Sequence, residues 1–196
     1  MTIRSLPELD VAGRRVLVRV DFNTPLTEDG DVADDTRVRA ALPTIRHLID
    51  HGARVILMTH LGRPNGKPDP RYTTRAPASC LAGLLERDVI HTDDCIGWGA
   101  RKLAMDLTDG GVLVLENTRF HAEETAPDRA FAEKLAELGE LYVNDAFGTC
   151  HRGDASVALV PELFAGKRAA GFLVKLELKK LGTLLSKPER PYVAVL

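Results

Sequence analysis

The sequence predicts an α/β protein built on a doubly wound parallel sheet. Three observations predict it. Short unbroken apolar runs such as Val55-Ile56-Leu57-Met58 recur along the chain without polar alternation, as in parallel strands covered on both faces. Segments of helical periodicity alternate with those runs. Four of the runs end abruptly in polar or cationic residues, the edge at which open α/β sheets take their ligands.

Taken in order, residues 1–14 read as a lead-in whose Leu6, Leu9 and Val11 cover an edge of the core. Residues 16–20 are the first strand, ending in Asp21-Phe22-Asn23. Residues 21–35 form a loop rich in Asp, Thr, Pro and Gly, with a short hairpin at Glu28-Asp29-Gly30-Asp31. Asp34, Asp35 or Thr36 caps the first helix, which carries Val38, Leu42, Ile45, Leu48 and Ile49 on one face. Pro43 inside it implies a kink or a later start, and Gly52 closes it. The strand at 55–58 completes a strand–helix–strand crossover and ends in Thr59-His60-Leu61-Gly62-Arg63-Pro64. Residues 65–74 are a polar, Pro- and Gly-rich excursion, expected to be mobile.

A helix follows at 76–87, a short strand at 89–91 and a helix at 98–107. A turn at Asp109-Gly110-Gly111 leads to the strand 112–115, which ends in Glu116-Asn117-Thr118-Arg119-Phe120. Residues 127–138 form a helix with Pro127 in its first turn and Phe131, Leu135 and Leu138 facing inward. The strand 141–143 ends in Asn144-Asp145-Ala146-Phe147-Gly148-Thr149-Cys150-His151-Arg152. A longer helix is expected over 169–186. Lys187-Pro188-Glu189-Arg190-Pro191 reads as a linker, and Tyr192-Val193-Ala194-Val195-Leu196 as a strand without its crossover. The expected domains are therefore 1–186 and, at 187–196, a hinge with the first strand of a second domain, in a chain that is the first part of a larger two-domain protein.

Bulk properties narrow the function. A chain of 196 residues supports one packed domain or a domain plus a fragment of another. The net charge of −2 provides no basic field for nucleic acid, so none is expected as a partner. Cys80, Cys95 and Cys150 are odd in number and follow no signal peptide, which reads as free thiols of a cytoplasmic protein. No apolar run approaches the ~18 residues of a membrane span.

The strand ends collect Asp21, Asn23, His60, Arg63, Arg119 and Arg152, with Arg37 at the start of the first helix. Guanidinium groups match phosphate and carboxylate geometry in planar, bidentate fashion. Four arginines and a histidine around one crevice suit a small molecule with several negative charges. Asp21 and Asn23 would accept from a substrate hydroxyl or hold the arginines in place. A phosphorylated hydroxy acid fits that inventory. Singly, each arginine has the ordinary alternative of a surface charge or an internal ion pair, and Asp21 has Arg37 or Arg19 as possible partners. His47 and His51 have i, i+4 metal-ligand spacing but no third ligand. Cys150-His151 lacks an orienting partner for a thiol nucleophile. Neither a G-x-x-x-x-G-K-[ST] loop nor a G-x-G-x-x-G fingerprint is present, so the chain shows an anion site and no nucleotide site.

At these residues the sequence resembles the phosphoglycerate kinase family, specifically its N-terminal domain. The matching stretches are Arg19-Val20-Asp21-Phe22-Asn23, residues 35–45, His60-Leu61-Gly62-Arg63-Pro64, Asp94-Cys95-Ile96-Gly97, residues 115–120 and residues 143–149. The resemblance implies the first half of a two-domain hinge kinase of Rossmann-like, three-layer α/β/α architecture. Such an enzyme moves a phosphoryl group between 1,3-bisphosphoglycerate and ADP, giving 3-phosphoglycerate and ATP, with Mg2+. Carried over by motif, the substrate ligands are Asp21, Asn23, Arg37, His60, Arg63, Arg119 and Arg152, with Phe22, Leu61 and Gly62 in the contact loops. Arg37 would also stabilise charge on the transferring group. The resemblance places Mg2+ and ATP or ADP in the other, C-terminal domain, so no cofactor or metal ligand is expected in this chain. It implies a monomer, inactive in phosphoryl transfer without that domain. Two departures stand out. Asp154 occupies a position where the family usually has histidine, so it either weakens anion binding or turns away. The run before the hinge reads Val174-Lys175-Leu176-Glu177-Leu178 instead of a Met-Glu-Lys-Glu-Leu-like run, which bears on interdomain packing. The alternatives are a stand-alone anion-binding or interaction module without catalysis, and a metal-dependent hydrolase.

Overall fold

Successive residues of a strand point to opposite faces of its sheet, and here both sets are apolar. In the computed structural model, which describes residues 3–193, the strands are β1 (Arg15–Arg19), β2 (Arg54–Met58), β3 (Ile90–His91), β4 (Val112–Val114), β5 (Leu141–Asn144) and β6 (Arg168–Ala170). They form one sheet in the order β3-β4-β2-β1-β5-β6, with every pairing parallel. Val16, Val18, Val55, Leu57 and Val114 face α1 (Thr36–Asp50) and α2 (Arg75–Leu85), meeting Val38, Ile45, Leu48 and Leu81. Leu17, Ile56, Met58, Leu113 and Tyr142 face α3 (Trp98–Asp106) and α5 (Arg129–Ala136), meeting Ala100, Ala104, Phe131 and Leu135. The result is the three-layer α/β/α architecture expected. Each fully buried aliphatic side chain contributes roughly 1.5–3 kcal/mol of transfer free energy against the entropy of ordering.

The connections open a crevice. β1 and β2 lead into α1 and α2 on one face, whereas β4 leads through α4 (Ala122–Thr125) to α5, and β5 to α6 (Ala155–Ala158), on the other. The loops leaving neighbouring strands therefore part at the carboxyl edge of the sheet.

Several local expectations are corrected. α1 starts at Thr36 and runs through Pro43 without a later start. Its N-terminus is held by Asp34, whose Oδ1 accepts from the Thr36 backbone N (2.9 Å) and hydroxyl (2.6 Å), while burial of Val38, Ala41, Leu42, Ile45 and Leu48 outweighs the one hydrogen bond Pro43 cannot make. Gly52 (φ 71°) ends it as anticipated, with Ala53 N donating to Leu48 O and Gly52 N to Ile49 O. α5 excludes Pro127; Asp128 is the cap, its carboxylate accepting from Phe131 N at 2.8 Å. A carboxylate satisfies an orphan N–H, which proline cannot do. Asp128→Ala is expected to cost about 1 kcal/mol, read as a lowered denaturant midpoint with an unchanged slope.

The helix expected from 169 begins only at Phe172, as α7 (Phe172–Ser186). The residues before it form β6, paired to β5 and bridged from Ala170 to Ser5. The excursion 65–74 is tied down: Thr73 Oγ1 and Thr74 N donate to the Glu116 carboxylate (2.6 and 2.7 Å), and Asn117 Nδ2 donates to Tyr72 O (2.8 Å). At the far end, Tyr192 and Val193 are exposed and carry no strand, and residues 194–196 of the expected strand lie outside the described residues. Beyond its first turns α7 exposes Leu176, Leu181, Leu184 and Leu185. Among the described residues no helix is long and apolar enough to cross a membrane.

Candidate anion-binding site

Three of the four predicted arginines, those at strand ends, line one cavity. Arg63, Arg119 and Arg152, from the loops after β2, β4 and β5, line one cavity of about 220 Å³ together with Asn65, Gly66 and Thr125. That is below the usual range for drug-sized ligands and suits a small one. Arg63 is exposed and makes no ion pair among the described residues. Arg119 is 7% exposed, its Nη1 donating to Gly62 O (3.1 Å) and its Nη2 to Asp154 Oδ2 (3.2 Å). The Nε–H groups of Arg119 and Arg152 are buried without an acceptor among the described residues. Unmet buried donors are costly, and oxygens of a bound anion would meet them. Larger hollows lie elsewhere. One of about 560 Å³ contains Arg14, Glu140 and Lys167, but Glu140 already pairs with Arg14 and Arg15.

His60 lies among the same cations. It is 2% exposed, and burial, followed by the charges of Arg19, Arg119, Arg152 and Arg37, pushes its pKa down to about 2. It is a neutral imidazole. Arg19 Nη2 approaches its Nδ1 at 3.1 Å; a guanidinium only donates, so Nδ1 is the acceptor and Nε2 carries the proton. His60 can thus donate one hydrogen bond to an anion without adding charge.

Arg37 is drawn to this region by Asp21, its Nη1 donating to Asp21 Oδ2 at 2.6 Å, with half of its side chain exposed. Of the open alternatives for Asp21, pairing with Arg37 is the one observed. Asn23 Oδ1 accepts from Gly62 N at 2.8 Å, so Asp21 and Asn23 both act as buttresses. Gly62 is required: its φ is +59°, and a side chain would meet the Tyr72 ring at 2.4 Å. Phe22 and Leu61 are buried as whole residues, their backbone N–H groups donating to Thr59 Oγ1 and Asn117 Oδ1, so they shape the loops from beneath. Asp154 does not turn away; it is 7% exposed and bonded to Arg119.

Sequence reasoning missed the layer beneath. Arg19 is fully buried, with Nε donating to Ser156 Oγ (2.9 Å) and Nη1 to Val20 O. Ser156 N and Oγ in turn donate to the buried Glu124 (2.9 and 2.5 Å). A buried cation is thereby linked through one hydroxyl to a buried anion. Asn117, also fully buried, fastens two loops together: its Oδ1 accepts from Leu61 N (3.2 Å) and Arg119 N (3.0 Å), and its Nδ2 donates to Leu61 O (2.7 Å). One signal was available. Arg19 stands inside an otherwise apolar run, and a charge there must find a partner.

Comparison with known proteins decides the family. The family model described as phosphoglycerate kinase matches residues 6–196. The chain belongs to the phosphoglycerate kinase family. It is 55% identical over 197 residues to phosphoglycerate kinase of Anaeromyxobacter dehalogenans (strain 2CP-C), covering 100% of this chain and 50% of that protein. It is 48% identical to that of Aquifex aeolicus (strain VF5), covering 98% and 48%. The chain thus spans about half the length of these phosphoglycerate kinases. Among solved structures, phosphoglycerate kinase from Coxiella burnetii superposes with a TM-score of 0.84 at 32% identity, covering 97% of this chain and 47% of that one. That from Pyrococcus horikoshii OT3 gives 0.85 at 34%, covering 96% and 47%.

Proposed function

We propose that this chain supplies the 3-phosphoglycerate site of a phosphoglycerate kinase, whose reaction passes a phosphoryl group between 1,3-bisphosphoglycerate and ADP. The observation that carries the reading is the convergence of Arg63, Arg119 and Arg152, from three separate loops, on one small cavity with two unmet guanidinium N–H groups. In this reading the three arginines take the phosphate, the densest charge of the ligand. His60 Nε2–H and Arg37 face the carboxylate end, where Arg37 would offset charge on the transferring group. Asp21 and Asn23 hold Arg37 and Gly62 in register.

The carboxylates at this rim, Asp21 and Asp154, are both engaged by arginines. They do not fit a nucleotide-bound Mg2+, and no step is assigned to that group here. Nucleotide and metal would be held by the half of the family's proteins that this chain does not span, whose closure would exclude water from the transfer. This chain alone is then a binding half without turnover.

Titration calorimetry tests this. 3-Phosphoglycerate is expected to bind, more weakly as salt rises, and ADP to give no heat. Binding of ADP with none of 3-phosphoglycerate overturns the reading. The Asp154–Arg119 pair, which withdraws one cation from the ligand, favours a second reading: an anion-binding module without catalysis. Mixing the chain with the C-terminal half of a family member separates the two, since restored turnover supports the kinase and silence the module.

A further inference from the structure

On the other flank of Asn117 lies a cavity of opposite character, about 520 Å³, at the ends of β3 and β4. Asp69, Asp93, Asp94 and Glu116 line it with Cys95 and His121, and its wall contains no lysine or arginine. The ligand atoms of Asp94, Cys95 and His121 lie within 4.8 Å of one another. His121 Nε2 and Asp94 Oδ1 are 3.1 Å apart, a few tenths of an ångström short of the roughly 3.3–3.6 Å that two ligands with ~2.0–2.2 Å bonds subtend on one tetrahedral ion.

Two of the three groups are held in place. Asp94 Oδ1 accepts from Cys95 N at 2.6 Å, and the His121 ring rests on Phe131 with centroids 5.2 Å apart. Cys95 is 1% exposed, and its Sγ has no hydrogen-bond partner among the described residues. A plain His121–Asp94 ion pair accounts for two members of the cluster. It does not explain why a thiol sulfur, an imidazole and a carboxylate converge on one cavity wall, although Cys95 also packs in the core with Ala100 and Leu115 and, of the neighbouring carboxylates, Asp69 is held by Arg71 and Glu116 by Thr73 and Thr74.

We propose that Asp94, Cys95 and His121 bind a borderline-soft divalent cation of the Zn2+ class, with the remaining coordination position open to the acidic cavity. Sulfur, imidazole and carboxylate together are the donor set that Zn2+ accepts and that Mg2+ or Ca2+ would not select. On binding, the Cys95 thiol releases its proton to solvent and the thiolate takes the metal. The ion would tie the loop after β3 to the loop after β4. The site does not depend on the phosphoglycerate reading, because none of its ligands lines the arginine cavity.

The test is a cobalt titration of the chelator-stripped chain followed by absorbance, then displacement by Zn2+. One Co2+ per chain is expected, with a thiolate-to-cobalt charge-transfer band that Zn2+ removes. Cys95→Ser is expected to lose the band. His121→Phe, which keeps the aromatic contact, is expected to weaken binding at least about tenfold while leaving 3-phosphoglycerate binding unchanged, and it serves if the Cys95 variant does not fold. His51→Gln is the control, because His47 and His51 stack at 4.0 Å on α1 and form the rival pair. Absence of the band, its persistence in both site variants, or its loss in His51→Gln overturns the proposal.

Discussion

Replacing Arg119 with methionine is expected to abolish measurable 3-phosphoglycerate binding and to destabilise the fold by about 3–5 kcal/mol. The two losses have different causes. Binding fails because Arg119 is the most deeply placed of the three cavity arginines, with Nη1 fixed on Gly62 O and a buried Nε–H that meets no acceptor among the described residues. Stability falls because Asp154, 7% exposed, is left as a buried carboxylate without its cation. Asp154→Asn separates these effects. It leaves an acceptor for Arg119 but removes the competing charge, so affinity for the anion is expected to rise about tenfold, a change of ~1.4 kcal/mol. The double variant Arg119→Met/Asp154→Asn is expected to recover most of the stability and none of the binding. Calorimetry and denaturant unfolding on the four proteins form a double-mutant cycle. Additive stability losses would show that the pair carries no coupling, and retained binding in Arg119→Met would remove the arginine from the site.

What the sequence disclosed follows from how the physics is written along the chain. The central strands were legible because burial on both faces forces contiguous Val, Ile and Leu, and their polar ends because the runs stop so sharply. β6 was not legible. Arg168-Ala169-Ala170 has no β-branched or aromatic residue, and its strand character comes from pairing with β5 and Ser5, 25 or more residues away. The site was legible as a set of residue types and not as a set of partners. Arg37 could be placed at the helix start, but that it leans on Asp21 is a tertiary fact. Ser156 lies 137 residues from Arg19 and 32 from Glu124, and no local pattern announces that one hydroxyl joins them. Asp154 stands out in the sequence as a departure, and only the geometry shows it paired with Arg119.

Between about pH 4 and pH 6, two buried groups are expected to pull stability in opposite directions, and single variants should expose each slope. His60 has its pKa lowered from 6.5 to about 2 by burial and the surrounding arginines. The unfolded chain therefore binds a proton below pH 6.5 that the folded chain refuses. The stability it confers is complete above pH 6.5 and is lost as pH falls toward about 2, at most ~1.4 kcal/mol per pH unit. Asp145 behaves in the contrary sense. Burial raises its pKa from 3.8 to about 6, although the Thr44 hydroxyl and the Leu173 and Val174 N–H groups lean the other way. Its Oδ1 accepts from Leu173 N (2.9 Å) at the start of α7, while Oδ2 is buried with no partner among the described residues. The folded chain holds that proton between pH 3.8 and about 6 and the unfolded chain does not, so this contribution is complete below pH 3.8 and is lost as pH rises through 6. Asp145→Asn, which keeps an acceptor for α7 and cannot titrate, is expected to gain on the parent by roughly 2–3 kcal/mol in going from pH 4 to pH 7. Its stability should fall steeply with acid where the parent's is nearly level. Urea midpoints across that range measure it. Parallel curves for parent and variant would mean that Asp145 is ionised throughout and that the first turn of α7 is held by a charge, not by a carboxylic acid.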